Sequence, residues 1–150
     1  MIYLISLIVF LLDFITKYWA TSGLVPHNPV SVFPCFNLYL TFNTGVSFSM
    51  FSAQSAVGVW ALIGLTAGIS AFIIYFIQKE TENLSRIGLA MVLGGAIGNL
   101  VDRIRFGSVV DFLDFYWGKY HWPAFNVADS AICIGAILIL FQYIRKGNKK

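Results

Sequence analysis

The chain has 150 residues, 58% of them hydrophobic and only 11% charged, with a mean hydropathy of +0.76. A soluble domain of this length could not shelter so much apolar surface, and a net charge of +3 without an aromatic-interleaved basic stripe excludes a nucleic-acid footprint. Two cysteines and two histidines, none at metal-ligand spacing, suggest neither a disulfide framework nor a metal centre; Cys35 lies in a polar connection and Cys133 in an apolar block, while His27 and His121 read as surface or interfacial residues.

The first apolar block, residues 2–20, carries Asp13 and Lys17 inside it and ends before Gly23, Pro26 and Pro29. It has no basic leader and no small-x-small cleavage site, so it reads as a permanent helix. Likewise Val32-Phe33-Pro34 is too bulky a run for Cys35 to be a lipidation site. Residues 25–52 follow a different rule. Phe36, Leu38, Leu40 and Phe42 alternate with Asn37, Tyr39, Thr41 and Asn43, which predicts a strand with one apolar face. Val30–Phe33 and Val46–Met50 are its expected partners, with Asn43-Thr44-Gly45 supplying turn or bulge chemistry.

Residues 56–77 contain no charge and form the clearest span. A third span covers 85–104, where Gly88, Gly94, Gly95 and Gly98 allow close helix packing, and a fourth covers 126–144, with Asp129 near its start. Each approaches the roughly 20 residues that cross the hydrocarbon layer. The aromatic-rich stretch Gly107 to Pro123 connects the last two. Basic residues collect in the loop from Gln78 to Arg86 and in the tail with Arg145, Lys146, Lys149 and Lys150, which predicts that both termini are cytoplasmic. Trp19, Trp60, Trp117 and Trp122 then fall at the outer interface, where an amphipathic indole is favoured. The expected fold is an all-α polytopic membrane protein: one membrane-embedded domain of four transmembrane helices, with a small extracytoplasmic β-sheet cradle between the first and second.

Of the acidic residues, Glu80 and Glu82 lie in the cytoplasmic loop. The others are Asp13, Asp102, Asp111, Asp114 and Asp129, and the predicted topology puts all of them at or just inside the outer interface. An ionisable group at membrane depth costs a few kcal/mol or more, so this clustering is the strongest functional signal in the chain. Two adjacent carboxylates share a proton, one activating water while the other protonates a carbonyl, which is the chemistry of an aspartyl peptidase. Ion or proton conduction is the competing reading, although a relay would distribute its groups across the membrane depth. Bland roles also exist. Asp13 and Lys17 stand i, i+4 and can simply pair; Asp102 can fix Arg103 or a loop; Asp114 reads as a solvated loop residue; Asn99, three residues before Asp102 on one helical face, can brace backbone or orient a carboxylate.

Several segments resemble the signature boxes of the prolipoprotein signal peptidase (signal peptidase II) family: Asp13-Phe14-Ile15-Thr16-Lys17, Asn43-Thr44-Gly45-Val46-Ser47-Phe48, Gly94-Gly95-Ala96-Ile97-Gly98-Asn99-Leu100-Val101-Asp102-Arg103, Val109-Val110-Asp111-Phe112, and Pro123-Ala124-Phe125-Asn126-Val127-Ala128-Asp129-Ser130. They occur in the expected order over nearly the whole chain. The first box departs from the pattern at Phe14, where a polar residue is usual. The resemblance implies a bacterial inner-membrane aspartyl endopeptidase, with no cofactor, that removes signal peptides from diacylglyceryl-modified prolipoproteins just before the lipidated cysteine, in contact with membrane lipid and acting as a monomer. It implies Asp111 and Asp129 as the catalytic pair, with Asp13, Lys17, Asn43, Gly45, Asn99, Asp102, Arg103, Asn126 and Ala128 supporting the site or positioning substrate. A physical argument favours Asp111 over Asp102 in that pair: a guanidinium next in sequence keeps Asp102 ionised, whereas the apolar neighbours of Asp111 favour a held proton.

Overall fold

A computed structural model of the chain describes residues 1–45 and 56–147. Four long helices, α1 (Ile2–Gly23), α2 (Ala56–Lys79), α3 (Asn83–Phe106) and α4 (Val127–Gly147), are each long and apolar enough to cross a bilayer. They overrun the sequence-based limits by a few residues, mostly at polar ends where a helix can continue beyond the hydrocarbon. The strands are β1 (Val30–Phe33), β2 (Phe36–Asn43), β3 (Val109–Trp117) and β4 (Tyr120–His121), paired antiparallel in the order β1-β2-β3-β4.

Helix α3 is the hub. It packs on α1, α2 and α4, and it is about half buried whereas the other three helices present most of their surface outward. The reason is its glycines. A Cβ on Gly88 would stand 2.6 Å from the Gly135 carbonyl, one on Gly95 would stand 2.5 Å from the Ala128 carbonyl, and one on Gly94 would stand 2.6 Å from the Ser6 carbonyl. Backbone therefore meets backbone, as small residues permit where lipid supplies no hydrophobic drive between helices. At the far end Ile73, Ile77, Ala90 and Leu93 form the apolar core between α2 and α3, and Ser6 donates to the Ala90 carbonyl at 2.8 Å. Gly95→Leu must push α4 off α3. We expect a loss of about 1–3 kcal/mol from overpacking, readable as a lower thermal midpoint in detergent, together with reduced activity because Ala128 adjoins the candidate site.

Val46–Met50, expected as a strand, lies outside the described residues. The sheet differs from expectation in two respects. First, β3 and β4 come from the connection between α3 and α4, so the cradle joins that connection to the one between α1 and α2. Second, the apolar alternation of β2 does not translate into one buried face. Leu38 pairs with Leu113 but Thr41 with Asp111, so β2 contains an extra residue and its facing flips. Leu40 and Asn37 are buried while Phe42 is exposed. The stretch Trp117–Trp122, part of the aromatic-rich connection between the last two spans, is the end of the β3–β4 hairpin, turned at Gly118 with φ +59°. All four tryptophans are exposed. Both cysteines are free.

Candidate active site

Five elements, α1, α3, α4, β2 and β3, converge where α4 begins. Lys17, on α1, is 4% exposed. Its ammonium lies 2.8 Å from Asp13 and 2.8 Å from Asp102 and donates to the side-chain oxygen of Asn99 at 2.9 Å. One cation thus uses all three of its protons on α1 and α3. Asp13 and Lys17 pair as their i, i+4 spacing suggests, but the expected partner of Asp102 needs correcting. Among the described residues Arg103 next to it forms no ion pair with it; Arg103 donates to the Asn99 carbonyl at 3.3 Å, and its charge acts on Asp129, Asp102 and Asp111. Neighbours along a helix diverge by about 100°, so sequence adjacency does not make the pair; Lys17 does.

The two carboxylates held by Lys17 each bind backbone in turn. Asp102 accepts from the Val110 N–H at 3.0 Å, fixing the start of β3 against α3. Asp13 accepts from the Ala128 N–H at 2.8 Å, supplying a partner to one of the free amides of the first turn of α4. A side chain at position 98 would collide with Asp13, so Gly98 is required there.

Asn126 caps α4. Its side-chain oxygen accepts from the Asp129 N–H at 2.8 Å, and its own N–H donates to the Asp129 carboxylate at 3.3 Å, a reciprocal cap. The amide of the same side chain donates to Asp111 at 2.7 Å, to the Val110 carbonyl at 3.2 Å and to Asn99 at 3.3 Å. Asn99 donates to the other oxygen of Asp129 at 2.8 Å. The remaining oxygen of Asp111 accepts from Asn43 at 3.0 Å, and Asn43 is fixed by accepting from the Gly45 N–H at 2.9 Å. Gly45 takes φ +81°, open to glycine at little cost.

Asp111 is 1% exposed, in strand β3. Burial above all, and after it the Asp129 charge, raise its pKa from 3.8 to about 6, against the lowering influence of Asn43, Asn126 and Lys17. Asp129 is only partly buried and lines an apolar cavity with Trp122, Phe125, Ser130, Cys133 and Ile134. Asp111 is therefore the enclosed acid and Asp129 the accessible one.

Every candidate position named from the sequence falls in this network: Asp13, Lys17, Asn43, Gly45, Asn99, Asp102, Arg103, Asp111, Asn126, Ala128 and Asp129. Asp114 does not, and it is not the solvated loop residue expected. It sits in β3, 4% exposed, accepting from Asn37 at 2.9 Å and meeting the His121 ring nitrogen at 2.9 Å. The Asn37–Asp114–His121 group escapes sequence reading because β3 goes unrecognised there. The run of valines and aromatics from Val109 to Trp117 is the signal that would have found it.

The comparisons agree along the chain. A family model described as Signal peptidase (SPase) II matches residues 5–145. The lipoprotein signal peptidase of Polynucleobacter necessarius subsp. necessarius (strain STIR1) is 43% identical over 147 residues, covering 97% of this chain and 90% of that protein. That of Shewanella baltica (strain OS195) is 39% identical over 150 residues, covering 99% and 88%. A bacterial membrane enzyme solved by the in meso method superposes with a TM-score of 0.86 at 29% identity, covering 98% of this chain and 89% of that one.

Proposed function

The chain belongs to the signal peptidase II family, and from that premise we propose that it is a membrane aspartyl endopeptidase in which Asp111 and Asp129 cleave prolipoproteins just before the diacylglyceryl-modified cysteine. The observation that carries the reading is Asn126, a single side chain that donates to Asp111 and caps the backbone of Asp129. Two acids, one from β3 and one from α4, are thereby held around one residue, with their other side-chain donors supplied by Asn43 and Asn99.

The division of labour follows from burial. Asp111 holds the proton, and a bound substrate that displaces water favours its neutral form further. Asp129, facing the cavity, takes a proton from water. The water oxygen attacks the carbonyl carbon preceding the lipidated cysteine, and Asp111 gives its proton to the carbonyl oxygen. When the tetrahedral intermediate collapses, the carbon–nitrogen bond breaks, the proton on Asp129 passes to the cysteine nitrogen, and a hydroxyl proton of the intermediate returns to Asp111, releasing the signal peptide with a new carboxyl end and restoring the starting state of the pair. The substrate's apolar signal helix enters from the bilayer along the outward surfaces of the bundle, and its acyl chains stay in lipid.

The same reading sets the site on the extracytoplasmic face of a bacterial inner membrane. Lys79, Arg145 and Lys146 lie in the last turns of α2 and α4, at the end of the bundle away from the aspartates, and positive charge marks the cytoplasmic side. The decisive experiment incubates purified protein with lipidated and unlipidated forms of one precursor. Cleavage restricted to the lipidated form is expected, and cleavage of neither would remove the proposal.

The pH profile gives a further check. Asp111 must be protonated to act, so kcat/KM should fall as pH rises through an apparent pKa of about 6, a value belonging to the coupled pair. Asn43 donates to the charged form and lowers that value. Asn43→Ala should therefore move the falling limb to higher pH; a shift to lower pH, or none, contradicts the role of Asp111.

A further inference from the structure

Beyond the aspartate network lies a second cavity of about 470 Å³, lined by Pro29, Tyr39, Asp114, His121, Trp122, Pro123 and Ala124. Trp122 walls both this cavity and the one containing Asp129, so the two adjoin across one indole. The first is apolar toward α4 and the bilayer, with Cys133 and Ile134. The second lies against the sheet and is lined by the buried Asp114 together with Tyr39, His121 and Trp122. Asp114 has Asn37 and His121 as partners, and among the described residues no lysine or arginine pairs with it.

A cavity lined by a carboxylate together with Tyr39 and Trp122 has the chemistry to receive a cation, by charge and by aromatic contact. Asp114 follows Asp111 by three positions in β3, a displacement of about 10 Å along a strand, which three extended residues of a bound peptide also cover. The signal-peptide side of the substrate is apolar and belongs with the bilayer-facing cavity, so the chain beyond the cleaved bond leaves past Trp122 toward the sheet.

We propose that this cavity is a specificity subsite for the mature side of the substrate, and that the Asp114 carboxylate, with Tyr39 and Trp122, takes a lysine or arginine side chain about three residues beyond the cleaved bond. The proposal rests on the peptidase reading above. It identifies which substrates that site prefers.

The test uses lipidated peptides that differ only in the third residue after the cleaved bond, carrying Lys, Gln or Glu, with the whole protein in micelles free of amine-bearing lipid. Wild-type kcat/KM should rank Lys above Gln above Glu, with Lys and Glu separated by about tenfold. In Asp114→Asn, which keeps the size and an acceptor for Asn37, the three should converge to within about twofold. The Gln peptide should be cut at nearly the wild-type rate, because the variant leaves the Asp111–Asp129 pair alone. Tyr39→Leu serves as a second variant that spares the Asn37–Asp114–His121 bonds, and it should reduce the Lys preference several-fold.

Equal rates for all three peptides with the wild type would overturn the subsite while leaving the peptidase intact. Failure of the wild type to cut any of them would instead overturn the peptidase reading. Should phosphatidylethanolamine added to the micelles remove a Lys preference, the cavity belongs to a lipid ammonium and the substrate assignment fails.

Discussion

Asp111→Asn and Asp129→Asn should each abolish processing of a lipidated precursor, with a loss of at least about 10²–10⁴-fold in kcat, the range for removing a general acid or base. The two losses should not multiply in the double variant, because a dyad sharing one proton acts as a unit. Structure is nearly retained in both. At position 111, however, Asn43 and Asn126 each aim an amide at a carboxylate oxygen, and asparagine offers only one oxygen, so a modest loss of stability accompanies the loss of activity. Asp102→Asn is the control that discriminates. Asp102 bonds Lys17 and the Val110 N–H, so it positions β3 and touches no reacting atom in the proposed mechanism. Measurable turnover is expected to remain. If Asp111→Asn were nearly wild-type in rate while Asp102→Asn were dead, the pair would have to be reassigned to Asp102 and Asp129.

Lys17→Met should be the most damaging substitution for folding. The side chain keeps its length and its apolar stem, but Asp13 and Asp102, both buried, lose their shared cation. Removing one partner from a buried ion pair costs about 3–5 kcal/mol, and here two carboxylates are stranded at once. The thermal midpoint in detergent should fall steeply, or folded protein should fail to accumulate. Adding Asp102→Asn to Lys17→Met removes one of the stranded charges and should recover part of the loss. If the double variant proved as unstable as the single one, the cost would lie elsewhere than in unpaired charge. Activity should remain low even where stability is recovered, since Lys17 also holds the oxygen of Asn99, and the amide of Asn99 holds Asp129.

Much of this is legible in the chain itself, for physical reasons that differ from part to part. Helix spans are legible because lipid demands long uninterrupted apolar runs, and α2 has one without a single charge. The gathering of Asp13, Asp102, Asp111 and Asp129 is legible because ionisable groups in so apolar a chain are costly unless they find partners. Their partners are only half legible. Asp13 and Lys17 pair through helical spacing, which is local, whereas the contacts of Lys17 with Asn99 and Asp102 cross between helices and cannot be counted out along the chain. The sheet shows the same limit. The alternation in Phe36–Asn43 reveals a strand, but the extra residue that flips its facing is a property of the pairing with β3. Asp114 is misread for a related reason: between two aromatic-rich stretches it resembles a loop acid, and only its neighbours across the sheet, Asn37 and His121, bury it.

The reach of Asp13 has a consequence for how the chain is made. Its carboxylate closes on the Ala128 N–H, 115 residues further along the chain, so α1 must wait in the bilayer while α2 and α3 are made before that bond can form. Until then Asp13 and Lys17, one turn apart and 2.8 Å from each other, cancel each other's charge, and the helix can be inserted as a nearly neutral rod. When α3 arrives it brings Asp102 to the same ammonium, and α4 then brings the amide that Asp13 lacks. The order of translation thus coincides with the order in which buried charges find their partners, and a chain cut before α4 would reach the membrane with its first aspartate still unsatisfied.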